Sequence, residues 1–157
     1  MIVSRKLLAI LCFLLIFTSC VSGTSATSEI QFLNKAGVLS QSIVVEIAET
    51  QQKRTVGLMH RKELPSNGGM LFIFPVEETK TFWMKDTPLS LDIVFIDKNL
   101  IVRHIHKSAR PYSTAQISSL YPCKYVLEIE AGKSDGFGIE IGSVARLPKN
   151  ILQIQSQ

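Results

Sequence analysis

Three cysteines, one tryptophan and a charged fraction of 19% leave this chain of 157 residues without several common devices. Cys12 and Cys20 both sit in the first twenty residues, so Cys123 has no mate in the remainder and a disulfide framework is excluded. A helix that crosses a membrane needs roughly 20 apolar residues. The longest apolar run, Leu7 to Phe17, has eleven. Six prolines and nine glycines follow no collagen-like period, and a 46% hydrophobic content is too high for a disordered chain. Basic residues outnumber acidic ones by 17 to 13 without clustering, so the electrostatic footprint of a nucleic-acid binder is missing. A Gly-x-Ser-x-Gly elbow, a His-Glu-x-x-His pair and a phosphate-binding glycine loop are also absent. No cofactor signature is evident.

What is present begins with a leader. Arg5 and Lys6 precede the apolar run, and Thr18, Ser19 and Cys20 follow it, which is the order of a secretory signal over residues 1–20. Phe17-Thr18-Ser19-Cys20 resembles a bacterial lipobox, in which the cysteine carries lipid and becomes the first mature residue. Ordinary cleavage after Gly23 or Ala26 is the alternative. The expected location is therefore outside the cytoplasm, as a lipoprotein held to membrane lipid through Cys20 or as a periplasmic or extracellular protein. Loss of residues 1–19 leaves 15 basic and 13 acidic side chains, a net charge of +2.

Residues 21–29 are rich in Ser, Thr, Gly and Ala and read as a flexible tether. A single globular domain is expected over residues 30–148, with a polar tail at 149–157. Ile43–Ile47 is β-branched and predicts a strand; Thr50 can cap a short helix reaching about His60. Met70–Phe74 is apolar throughout, the pattern of a strand covered on both faces, and Pro75 is expected to end it. Further strands are predicted at Thr79–Lys85, Leu91–Ile96, Leu100–Ile105, Tyr125–Glu130 and Ile139–Leu147, with Asp97-Lys98-Asn99 turning a hairpin. Ala109–Pro122 reads as a long surface loop. Tight connections leave little room for parallel crossovers. The expected class is α+β: a β-rich, mostly antiparallel sheet curled or closed into a small barrel, with one or two short helices.

Three stretches stand in a specific order: Arg54-Thr55-Val56-Gly57-Leu58-Met59-His60-Arg61, Gly69-Met70-Leu71-Phe72-Ile73-Phe74, and Phe82-Trp83-Met84-Lys85-Asp86-Thr87. With Pro88–Asp97 and Tyr125–Gly132, they make the chain resemble domain-of-unknown-function family 192 from about Val44 to Leu147. The resemblance implies a β-rich fold and frequent export in a mainly prokaryotic family, and no established activity. Asp86 stands where the family usually shows Asn, and Ser143 where it usually shows Asp.

Trp83, Lys85, Asp86 and Thr87 place an aromatic, a cation, an anion and a hydroxyl beside one turn, a combination able to line a small-molecule pocket or simply to pack and face water. Asp92 interrupts an apolar strand, and a buried carboxylate needs a partner. Arg54, Arg61 and Lys85 are the candidate cations, in a structural ion pair or a site. Arg54, Arg61, Trp83, Lys85, Asp86 and Asp92 are thus the candidate ligand-binding set. His104 and His106 lie two apart on a strand and share a face, and with His60 they suggest a copper or zinc site. The nearby methionines fit an apolar core equally well. The expected function is an exported envelope protein that binds a small ligand or an envelope partner and no nucleic acid. A periplasmic metal-binding protein and an enzyme using Asp/His acid–base chemistry are the alternatives.

Overall fold

The computed structural model describes residues 27–154. The leader, Cys12, Cys20, most of the tether and the last residues of the tail lie outside them. Along the chain run β1 (Thr27–Leu33), β2 (Ile43–Ala48), α1 (Gln51–Val56), β3 (Gly68–Glu78), β4 (Thr81–Phe82) and β5 (Leu91–Ile96). Then come β6 (Val102–Ala109), β7 (Ile117–Ser118), β8 (Cys123–Glu130), α2 (Lys133–Gly136), β9 (Val144–Arg146) and α3 (Lys149–Gln153).

Seven strands form one sheet in the order β6-β5-β8-β3-β2-β1-β9, and β4 with β7 forms a small separate ribbon. Every pair in the large sheet is antiparallel except β2 with β3, whose parallel crossover runs through α1. The sheet curls until its edges meet: Val102 N–H donates to Ser143 O at 2.9 Å, and Gly142 and Ala145 N–H donate to Val102 O and Leu100 O, each at 2.8 Å. The α+β, β-rich, curled antiparallel class expected from the sequence is the class observed.

The curl explains why the central strands are apolar on both sides. Leu71, Ile73, Val94, Ile96, Leu127 and Ile129 fill the enclosed face, while Met70, Phe72, Ile93, Phe95 and Val126 point outward under Leu58, Met84 and Ile117. Side chains on a strand alternate, so a strand covered twice has no polar half. Gly69, paired with Ile129, sits where the strands press closest: a Cβ there would lie 2.6 Å from Glu128 O and 2.8 Å from Ile129 Cγ2. Gly69→Ala must spread β3 from β8 and is expected to lower stability by about 2 kcal/mol, read as a lower urea midpoint.

Several boundaries differ from expectation. β1 opens at Thr27, inside the expected tether, because Thr27, Ser28 and Glu29 find backbone partners in Glu46, Val45 and Val44. The tail instead carries α3, held by the fully buried Ile151. β3 runs past Pro75 to Glu78 through a register shift, where a proline's missing N–H leaves no ladder position empty. The strand expected at Thr79–Lys85 shrinks to Thr81–Phe82, and its partner β7 comes from the expected loop. The helix capped by Thr50 stops at Gly57, whose φ of +50° suits glycine and where a Cβ would press against the Phe72 ring at 3.2 Å. The strand expected at Ile139–Leu147 is confined to β9.

Candidate functional site

The site grows from the outward face of β3 and β8. Thr50 Oγ1 accepts from Lys53 N–H at 3.2 Å and starts α1, which delivers Arg54 over the end of β3. There its guanidinium donates to Ile73 O at 2.9 Å, to Gln51 Oε1 at 3.2 Å and to Glu49 O. These bonds fix its Cζ 5.3 Å from the centre of the Phe74 ring. Lys80, buried and paired with Glu78, brings Nζ to 4.3 Å from the same ring. Phe82 meets Phe72 edge-on at 5.2 Å and Phe95 at 5.9 Å, geometries that aromatic rings favour. Trp83 is half exposed at the rim, with Lys85 Nζ 5.7 Å from its ring centre. Between them lies a cleft of about 280 Å³.

At the base of that cleft is Glu128. Its cross-strand neighbours are Met70 on β3 and Ile93 on β5, and the residue is 5% exposed. Among the described residues its carboxyl has neither a hydrogen-bond nor an ion-pair partner. Burial pushes its pKa up to about 8, so at neutral pH the group keeps its proton and presents an O–H donor. A buried, unpartnered titratable group facing a cleft is a mark of a functional site.

Of the residues proposed from sequence, Arg54 and Trp83 line the cleft and Lys85 stands over Trp83. Asp86 is exposed in the turn beyond, its carbonyl accepting from His60 N–H at 2.8 Å. Arg61 is not a cleft residue and pairs with Glu46 at 2.7 Å. Asp92 lies elsewhere, and the expected cation partner is replaced by four neutral donors. Oδ1 accepts from Ser108 N–H at 2.9 Å; Oδ2 accepts from Gly132 N–H at 3.0 Å, Ser134 N–H at 3.1 Å and Ser134 Oγ at 2.6 Å. The bulge in β6 and the turn into α2 both leave backbone N–H groups pointing at this position, and a carboxylate satisfies them without a counter-charge.

His104 and His106 share a face of β6 opposite Phe95 and Ile93. His104 stacks on Phe95 at 5.7 Å, and burial together with the neighbouring His106 holds its pKa below the usual imidazole value. His60 does not join them: among the described residues no group of three or more His, Cys, Asp or Glu comes together. Cys123 is fully buried, and burial raises its thiol pKa. Ellman's reagent is therefore expected to count the same thiols in the native protein and in Cys123→Ser, and one more in the wild type after denaturation. A difference in the native state would mean that the outward core opens readily.

The model of DUF192, an uncharacterized ACR, matches residues 32–147. The chain belongs to the DUF192 family. A protein of Sinorhizobium meliloti 1021, provisionally described as a transcription regulator, is 34% identical with a TM-score of 0.75; the match covers 78% of this chain and 95% of that one. A protein of unknown function from Novosphingobium aromaticivorans DSM 12444 is 31% identical with a TM-score of 0.72, over 81% of this chain and 89% of that one. No curated protein matches.

The two departures from the usual DUF192 pattern have local explanations. Asp86 adopts φ +54°, a left-handed conformation that Asn and Asp both tolerate, so the position asks for backbone freedom more than for an amide. Ser143 is buried and its Oγ accepts from Glu140 N–H at 3.0 Å, a bond an Asp would also accept. No helix among the described residues is long and apolar enough to cross a membrane.

Proposed function

We propose that this DUF192 protein is an exported, lipid-anchored component of the cell envelope that binds a small organic ligand in the cleft above Glu128. The observation that carries the reading is Glu128 itself: a carboxyl without a partner at the base of an aromatic-walled cleft costs stability unless something bound supplies the missing contact. Apolar walls contribute affinity and one or two polar groups fix orientation, and the cleft has both. Arg54 and Trp83 line it, with Lys85 beside the Trp83 ring. Export rests on the ordered leader, and anchoring on the lipobox-like segment ending at Cys20. Nucleic acid is no part of this reading, because basic residues only slightly outnumber acidic ones and do not cluster along the sequence.

Native mass spectrometry of the protein extracted from membranes, set against its denatured spectrum, tests the binding. The native mass is expected to exceed the denatured one by that of a small organic molecule. Equal masses would overturn tight binding. Palmitate labelling of wild type and Cys20→Ala tests the anchor: label is expected only in the wild type, and an unlabelled wild type would overturn it.

A further inference from the structure

Resting on the cleft reading above, we propose that the ligand is a small carboxylate with an apolar body, its oxygens accepting from Glu128 and its charge answered by Arg54 and Lys80. Aromatic walls around a carboxyl group also suit an organic cation, so the sign of the ligand has to be decided from the groups already in place. Two of the rings already hold the chain's own cations: Arg54 and Lys80 lie 5.3 and 4.3 Å from the centre of Phe74, and Lys85 lies 5.7 Å from Trp83. An ammonium group entering here would meet the positive charges of Arg54 and Lys80, both already placed at Phe74.

The balance of those charges points the same way. Lys80 is paired with Glu78, whereas Arg54 has no carboxylate within ion-pair distance among the described residues. Its known bonds go to two carbonyls and one amide oxygen, none of which neutralises it. A guanidinium has five N–H donors and these three bonds leave two unspent. At the base, burial between Met70 and Ile93 keeps Glu128 neutral and makes it a donor in search of an acceptor. A carboxylate meets both needs, since an O–H donated to an anionic oxygen is among the shorter and stronger hydrogen bonds. The apolar body of the ligand would then lie against Phe72, Phe82 and Leu58.

The sole tryptophan of the chain, Trp83, reports from the rim. The probes are hexanoate, hexanamide and hexylammonium, which share one apolar tail and differ in charge, titrated at pH 6 into the full-length protein while Trp83 emission is followed. Hexanoate is expected to saturate with a Kd at least tenfold below those of the other two. Glu128→Leu, an apolar replacement suited to its surroundings, is expected to weaken hexanoate at least tenfold, Glu128→Gln, which keeps an N–H donor, much less, and Arg54→Met at least fivefold. Hexylammonium binding as tightly as hexanoate, or hexanoate indifferent to Glu128→Leu, overturns the assignment of charge while the cleft reading stands. Failure of all three probes to move Trp83 overturns the assignment too, and with equal native and denatured masses it removes the cleft reading as well.

Discussion

Glu128→Gln is expected to make the protein more stable, by an amount that grows with pH. In the unfolded chain a glutamate carboxyl titrates near its ordinary value of 4.5, whereas in the fold burial holds Glu128 at about 8. Between those values the native state binds a proton that the unfolded state has released, so stability falls by about 1.4 kcal/mol for each pH unit. Below pH 4.5 both states are protonated and the group carries no ionisation penalty; above 8 the loss is complete, at up to ~5 kcal/mol. Glutamine has the shape of the protonated acid and does not ionise. Urea midpoints of wild type and variant should therefore nearly coincide at pH 4.5, diverge steadily toward pH 8 and level off above it. The titration of His104 is common to both proteins and cancels in the comparison. A constant difference across the range would mean that water in the cleft solvates the carboxylate.

The same experiment bears on function. A ligand acceptor that bonds the Glu128 O–H stabilises the protonated form, so bound ligand extends to higher pH the range in which the wild type resists urea. Stability spent on an unpartnered group at the base of a cleft is a common property of binding sites, which are organised for the complex and not for the empty fold.

How much of this was legible beforehand depends on what each feature needs. The class of fold came from local signals: β-branched runs, the Asp97–Asn99 turn and the uninterrupted apolar stretch at Met70–Phe74 each act through near neighbours. Arg54 and Trp83 stood out because a cation and an aromatic in ordered motifs are visible without a structure. Glu128 was not visible. In Tyr125–Glu130 it occupies the polar half of an alternating strand, the usual sign of a solvated face. What buries it is the strand order: β8 lies between β5 and β3, and both of its faces are covered. Two largely apolar neighbours, Leu91–Ile96 and Met70–Phe74, carried the hint, but only once they were known to flank it. Asp92 shows the complementary failure. Sequence demanded a partner and searched the cations, while the partners were backbone N–H groups, which every residue but proline owns and no motif advertises.

That distinction sets the second large effect. Asp92→Ala is expected to cost about 4 kcal/mol, because it orphans N–H groups of Ser108, Gly132 and Ser134 and the Ser134 hydroxyl in one step. Ser134 is fully buried, so water cannot simply replace the carboxylate. Asp92→Asn retains one acceptor oxygen but turns an NH2 group toward N–H donors whichever way the amide is placed, and about 2 kcal/mol of loss is expected. An ion-paired Asp92 would behave differently, since raised salt would weaken the wild type and narrow its gap from the variants. With neutral backbone donors the gap between wild type and Asp92→Asn should be nearly the same at low and high ionic strength. Urea unfolding of the three proteins at two salt concentrations measures both quantities. Asp92 lies away from the cleft, so Trp83 emission in the folded Asp92→Asn protein should respond to hexanoate as in the wild type. Lost binding in a variant of near-native stability would instead connect the β6 bulge and α2 to the site.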